Sequence, residues 1–181
     1  MEHPDHVALI RDGVVGAGNR WLELGAGRGA FTLALADLLG PGGRIVAVDR
    51  ASGDLTRMAA ELAVRFPGTD LSTMTADFRH PDELGLEDEV FDGLLVANAL
   101  HFVRRPESVI AGFIGRLQPG GRVVVVEYDT DGGNMWVPHP FSYASWQRIA
   151  AEAGLSGTRL IGRVPSRFLG AIYAAASDVS A

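Results

Sequence analysis

The sequence predicts an α/β fold: a three-layer, doubly wound sheet of about seven strands, mostly parallel, with an antiparallel C-terminal strand. Three observations carry this. Short apolar segments alternate with stretches whose apolar residues recur at helical spacing, which implies right-handed crossovers and helices on both faces of one sheet. The central segments, Ile45 to Val48 and Val123 to Val126, are apolar without interruption, as strands buried on both faces are. Glycine and proline clusters separate the segments at 40–43, 67–68 and 118–121.

Val7, Leu9, Ile10, Val14 and Val15 predict a short leading helix over residues 5–17. A strand follows at 20–24. The next helix covers 29–39, where Phe31, Leu35, Leu38 and Leu39 share a face, and Gly40-Pro41-Gly42-Gly43 stops it. Arg44 to Asp49 is the second strand. A helix at 55–66 ends before Pro67-Gly68, and a strand at 71–76 follows. Asp82, Glu83, Glu87, Asp88 and Glu89 mark a polar connection with one short helical turn at most. Phe91 to Ala97 is the fourth strand. Pro106 opens a helix that runs to Leu117. Arg122 to Tyr128 is the fifth strand, 129–141 a loop, and 143–153 a helix closed by Gly154. The β-prone segments 158–164 and 168–175, divided by Pro165-Ser166, suit an antiparallel pair at the sheet edge.

The 181 residues fit one domain with a sizeable core, and 47% hydrophobic against 21% charged residues predicts a packed globule. The absence of cysteine excludes disulfides and thiolate metal sites. The five histidines and the acids show no metal-ligand spacing, so no metal is expected. A net charge of −6 argues against broad nucleic-acid binding. No apolar run is long enough to span a bilayer and the first residues do not read as a signal peptide, so a cytoplasmic location is expected.

Ligands in such sheets lie beyond the carboxyl ends of the strands, near the switch in strand order. That rim collects Glu23, Gly25, Gly27, Gly29, Asp49, Asp77, Asn98 and Glu127. A glycine turn lets a ligand approach bare backbone, and an acid ending the second strand sits where a ribose is gripped. The pattern therefore points to a nucleoside-containing cofactor. Gly25 to Ala30 also satisfies the dinucleotide pattern G-x-G-x-x-A, with Asp49 at the expected distance. Glu23, however, would repel a diphosphate in a site of reduced dielectric and would favour a cation. S-adenosylmethionine carries a sulfonium and an ammonium, has no phosphate and needs a ribose anchor, so it suits E-x-G-x-G-x-G better.

On these motifs the chain resembles the class I S-adenosylmethionine-dependent methyltransferases, of the small metabolite-type branch. ELGAGRG at 23–29 resembles the family's glycine motif, VAVDR at 46–50 its ribose-binding strand end, and ADF at 76–78 its adenine site. FDGLLVANALHFV at 91–103 and LQPGGRVVVVEY at 117–128 resemble its fourth strand and its entry to the fifth. The resemblance covers nearly the whole chain. It implies a Rossmann-like methyltransferase fold whose seventh strand is antiparallel and inserted between the fifth and sixth. Larger members carry an N-terminal lid or an inserted cap, which residues 1–181 lack. A single S-adenosylmethionine-binding domain is therefore expected.

The expected cofactor residues are Glu23, Gly25, Ala26, Gly27, Gly29, Asp49, Arg50, Asp77, Phe78, Asn98 and Ala99. Glu23 faces the cationic methionine end and the glycines bring the backbone close. Asp49 accepts both ribose hydroxyls, and Arg50 covers the adenine edge. Asp77 accepts the adenine amino group beside Phe78, and the backbone of Asn98 and Ala99 lines the methionine side. On the acceptor side stand His101, Glu127, Tyr128 and Trp136, with Trp136 as the apolar anchor of loop 129–141. His101 reads either as a pocket-wall histidine or as a general base, and no catalytic residue is assigned. Methyl transfer needs mainly proximity, alignment and a desolvated site, with S-adenosylhomocysteine as the other product. A small-molecule acceptor is expected, with neither nucleic acid nor membrane as partner, and a homodimer would be one way to complete the acceptor wall. The alternatives are methylation of a protein or nucleic acid, or a degenerate cofactor-binding interaction protein. The Asn-Pro-Pro-aromatic tetrad of enzymes that methylate base amino groups is absent.

Overall fold

A computed structural model describes residues 1–180 of the chain. The elements run α1 (His3–Val14), β1 (Arg20–Leu24), α2 (Ala30–Leu39), β2 (Arg44–Asp49), α3 (Ser52–Arg65), β3 (Asp70–Thr75), β4 (Phe91–Ala97), α4 (Pro106–Ile114), β5 (Leu117–Tyr128), α5 (Tyr143–Glu152), β6 (Leu155–Ser166) and β7 (Gly170–Val179). Short 3₁₀ turns stand at Pro81–Glu83 and Leu100–Phe102.

All seven strands form one sheet in the order β3-β2-β1-β4-β5-β7-β6. β1 pairs in parallel with β2 and with β4, so the strand order reverses beside β1. β7 runs antiparallel to both β5 and β6, inserted between them. This is the Rossmann-like order that the resemblance implied.

Alternation along each strand sends successive side chains to opposite faces. Leu22, Leu94, Val96, Val123 and Val125 pack with Ile110, Phe113 and Trp146, so α4 and α5 cover one face. Trp21, Leu95, Val124 and Val126 pack with Ile10, Leu35, Met58 and Leu62, so α1, α2 and α3 cover the other. Val123 to Val126 are all fully buried, each worth about 1.5–3 kcal/mol of apolar burial. Gly13 lets α1 lie flat on the sheet, since a Cβ there would stand 2.7 Å from both Val124 and Ile161.

Several boundaries differ from the sequence expectation. The first helix stops at Val14 because Gly16 and Gly18 take φ of 81° and 86°. Helix α4 ends at Ile114, and Leu117 already pairs with Phe91 as strand. The register then shifts before Gly93 pairs with Arg122, so Pro119, Gly120 and Gly121 interrupt a strand rather than precede one. The C-terminal strands are longer than their apolar cores, because β7 is held by partners on both sides.

Candidate active site

The carboxyl ends of β1, β2 and β4 meet where the strand order reverses. The chain leaves β1 in a glycine loop whose Gly25, Gly27 and Gly29 all take positive φ. The amides of Gly25 and Ala26 donate to the Val48 carbonyl at 2.8 and 3.1 Å, which folds the loop over the end of β2. The glycines have different reasons. A Cβ on Gly25 would lie 2.4 Å from Ala99 Cβ, and one on Gly29 would lie 2.0 Å from Met58 Cγ. A Cβ on Gly27 would meet nothing within 4 Å, so this backbone faces open space. Asp49 closes the arrangement: its Oδ2 accepts from the Gly27 amide and its Oδ1 from the Ala51 amide, each at 2.8 Å.

A cleft of about 290 Å³ lies between these elements. Gly25, Gly27, Asp49, Arg50, Phe78, Asn98 and Ala99 line it, together with Phe102, which the sequence reading did not single out. Its sequence signal was slight, an aromatic beside His101 in a turn that only the fold brings to the rim. Asn98 has φ of 50°, the only positive value at a non-glycine residue among those described. Such geometry is sparse outside glycine and persists where surroundings enforce it. Here the Asn98 amide donates to the Val126 carbonyl at 2.8 Å, while its buried Oδ1 has no partner.

Other expected residues sit around the cleft rather than on its wall. Ala26 is buried in the loop, and Gly29 begins α2 against Met58. Glu23 is 1% exposed, and its Oε2 has no hydrogen-bond partner. Burial pushes its carboxyl up to about 7; the Thr32 hydroxyl beside it pulls the other way, and the Asp49 charge adds to the rise. Asp77 lines a small adjoining hollow with Arg50, Phe78 and Arg79. It grips the Arg79 guanidinium at 2.5–3.0 Å and accepts the Arg79 amide at 3.0 Å, with Arg50 at 3.8 Å. These hydrogen bonds, those of the Arg79 side chain first, hold its carboxyl down at about 2, although burial works against them. Asp77 is thus an Asx-turn acid already paired with an arginine, and would have to share its lone pairs with an adenine.

On the far side of Phe102 a row of rings leads away from the cleft. His101 lies 4.2 Å from Phe102 and 5.9 Å from Tyr128, and Tyr128 lies 5.9 Å from Phe168. Phe168, in the turn between β6 and β7, helps to line a second and larger cleft of about 800 Å³. Asp5 and His6 of α1, with Val164, Arg167 and Ile172, form others of its walls. The sequence reading missed this cleft, because its two sides lie at opposite ends of the chain.

Two acceptor-side expectations change. Glu127 does not face a cavity: it is fully buried and accepts from His101 Nδ1 at 2.9 Å and from the His101 amide at 3.2 Å. Trp136 is not an anchor, being 68% exposed and on the wall of neither cleft. Val137 and Phe141 hold the loop instead, Phe141 stacking on Trp146 at 5.9 Å. The His139 amide donates to the His101 carbonyl at 3.0 Å, which ties the loop to the site. Tyr128 is half-buried, and burial followed by the Glu127 charge pushes its phenol up.

Among the described residues, no three His, Cys, Asp or Glu side chains are grouped to hold a metal ion, and no helix is long and apolar enough to cross a membrane.

A family profile described as "Methyltransferase domain" matches residues 16–154. The chain is 33% identical over 126 residues to a demethylmenaquinone methyltransferase of Clavibacter sepedonicus, covering 68% of this chain and 47% of that protein. It is 29% identical over 121 residues to the ubiquinone/menaquinone biosynthesis C-methyltransferase UbiE of Pseudomonas aeruginosa, covering 67% and 46%. The chain thus spans less than half the length of these curated relatives. Among solved structures, the N-methyltransferase NodS of Bradyrhizobium japonicum, in complex with S-adenosyl-L-homocysteine, superposes with a TM-score of 0.72 at 21% identity, covering 98% of this chain and 87% of that one.

Proposed function

The chain belongs to the methyltransferase-domain family, and from that membership we propose that it binds S-adenosylmethionine in the glycine-loop cleft and transfers its methyl group to a small-molecule acceptor. The observation that carries this reading is the pairing of open backbone at Gly27 with Asp49 across the same cleft. Each Asp49 oxygen already accepts one amide and retains a further acceptor site, so a ribose diol can be held without losing the loop.

The donor set suits the cofactor's charge. Glu23 Oε2 and Asn98 Oδ1 are buried acceptors without protein partners, and unsatisfied buried acceptors are costly. An ammonium or a sulfonium gives Glu23 a reason to ionise; a diphosphate would not. Phe78 and Arg50 stand beside Asp49 to cover an adenine, and Asp77 with its Arg79 partner flanks them. Ala99 packs where Gly25 makes room, which keeps the methionine side narrow.

Bound S-adenosylmethionine supplies an electrophilic methyl group, and demethylation leaves S-adenosylhomocysteine. The protein's share is alignment and exclusion of water. The row of packed rings that starts at Phe102, on the wall of this cleft, ends at Phe168, on the wall of the larger one, which is the candidate space for the acceptor. Calorimetric titration tests the reading. S-adenosylhomocysteine should bind at micromolar levels or tighter and NAD far more weakly; tighter binding of NAD would reject it. Methyl-transfer assays across small hydroxylated, amino and thiol acceptors then identify the acceptor.

A further inference from the structure

The hollow at Asp77 and the glycine-loop cleft share three walls, Arg50, Phe78 and Phe102. Phe78 also stands against the glycine loop, since a Cβ on Gly25 would lie 3.4 Å from its Cε1. A purine that packs on Phe78 thus has its edge read in the hollow. Among the residues that line the hollow, Asp77 alone has a side chain that accepts hydrogen bonds. A carboxylate offers about four lone-pair sites. Arg79 occupies them: its amide donates to Oδ1 at 3.0 Å, its Nε to Oδ1 at 2.9 Å and to Oδ2 at 3.0 Å, and its Nη2 to Oδ2 at 2.5 Å. Arg50 Nη1 stands 3.8 Å from the same Oδ2. The hollow therefore meets a purine with guanidinium donors, and an adenine amino group is itself a donor. The Arg79 side chain, however, is 46% exposed, and an exposed ion pair gives way to water at small cost.

Resting on the reading of this cleft as a cofactor site, we propose that Arg79 is a displaceable competitor for the adenine end of the cofactor. In the free protein its guanidinium fills Asp77. When the adenine amino group takes the carboxylate, the Arg79 side chain swings out to solvent. The Arg79 amide stays on Oδ1, and the His80 amide stays on the Asp77 carbonyl at 3.1 Å, so the turn keeps the acid aimed while the side chain leaves. Arg79 thereby sets the affinity for adenosyl ligands and the discrimination at purine position 6. A purine with an oxo group at that position carries an acceptor there and meets the guanidinium groups as they stand, with nothing to displace. An adenine must first displace Arg79, so the wild-type protein favours adenine over the oxo purine less than Asp77 alone would.

The test is calorimetric titration with two ligands, S-adenosylhomocysteine and S-inosylhomocysteine, which carries a 6-oxo group where adenine has its amino group. Arg79→Met keeps an apolar stem and removes the guanidinium. It should bind S-adenosylhomocysteine ~2-fold to ~5-fold more tightly than wild type, the range set by an exposed ion pair. Its affinity for S-inosylhomocysteine should stay level or fall. With Asp77→Asn already in place the gain should disappear, because the charge competed for is gone. Wild type supplies a second measurement that needs no variant. Salt weakens exposed ion pairs, so its affinity for S-adenosylhomocysteine should rise with ionic strength while that for S-inosylhomocysteine does not. A merely structural clasp would lower the melting temperature of Arg79→Met and weaken both ligands alike. Unchanged or weaker binding of S-adenosylhomocysteine by Arg79→Met, or an equal gain for the two ligands, would overturn the proposal. Binding by wild type without the gain rejects the role of Arg79 alone. If neither wild type nor Arg79→Met binds S-adenosylhomocysteine, the cofactor reading fails and this inference with it.

Discussion

The Gly27 amide donates to Asp49 Oδ2 at 2.8 Å, so the acid expected to grip a ribose also holds the glycine loop in front of it. This dual duty alters what removing Asp49 should do. Asp49→Ala strands the Gly27 and Ala51 amides as well as any ribose. A charge-assisted hydrogen bond is worth roughly 1.5–3 kcal/mol, so affinity for S-adenosylhomocysteine should fall by ~10-fold to ~150-fold. Melting temperature should fall modestly too. Asp49→Asn keeps one acceptor oxygen and should lose affinity with less loss of stability. Calorimetry and thermal melts on both variants check this; unchanged affinity in Asp49→Ala would make the residue a turn cap only.

Gly27 and Gly29 should respond oppositely to alanine. Both have positive φ, at 52° and 85°, a conformation that costs an L-residue about 1–2 kcal/mol. Gly29→Ala additionally drives a Cβ into Met58, and overpacking adds about 1–3 kcal/mol. Its main effect should be on denaturant midpoint. Gly27→Ala has room in the free protein but places a methyl in the proposed cofactor space, so its main effect should be on cofactor affinity. Equal effects on both measurements from both variants would remove the distinction.

The strand pattern was legible because its signals are local. Val123 to Val126 reads as a strand buried on both faces, and Gly40 to Gly43 cannot continue a helix. Asp49, Asn98 and the glycines were legible as a rim because they follow such strands. The pairing of His101 with Glu127 was not, since it joins residues 26 apart through a contact that parallel β4 and β5 create. Trp136 misled because an aromatic in a loop suggests an anchor, whereas the neighbouring Val137 and Phe141 occupy the core. The larger cleft was invisible for the same reason as the dyad: α1 and the β6–β7 turn become neighbours only after β7 inserts between β5 and β6.

Glu23 gives the free protein a pH dependence of defined sign. Its ordinary value is near 4.5 and burial raises it to about 7 in the fold. Between those values the native state holds a proton that the unfolded chain has released, so stability falls as pH rises through the window. The loss approaches roughly 3 kcal/mol above it. Glu23→Gln should flatten this slope and raise the melting temperature near pH 8. Binding of a cation should reverse the preference, drawing Glu23 to its ionised form. Affinity for S-adenosylmethionine should therefore rise with pH up to about 7 and then level, with proton release visible in buffers of different ionisation enthalpy. Affinity independent of pH across this range would place Glu23 outside the binding equilibrium.

The acceptor side turns on Phe168 rather than Trp136. Both are exposed, at 51% and 68%, so alanine at either position should leave stability within about 0.5 kcal/mol. Only Phe168 reaches the row of rings, through Tyr128, and only Phe168 lines the larger cleft. An aromatic contact of this kind is worth about 0.5–1.5 kcal/mol, which corresponds to a rise in acceptor KM of ~2-fold to ~12-fold in Phe168→Ala. Cofactor affinity should not change, because Phe168 stands beyond Tyr128 and His101 from the glycine-loop cleft. Trp136→Ala should leave both constants near wild type. Steady-state kinetics with the acceptor found by the methyl-transfer panel, alongside calorimetry, decide the matter. A larger KM effect from Trp136 than from Phe168 would return the acceptor to loop 129–141, which would then have to close over the site to bring Trp136 into contact.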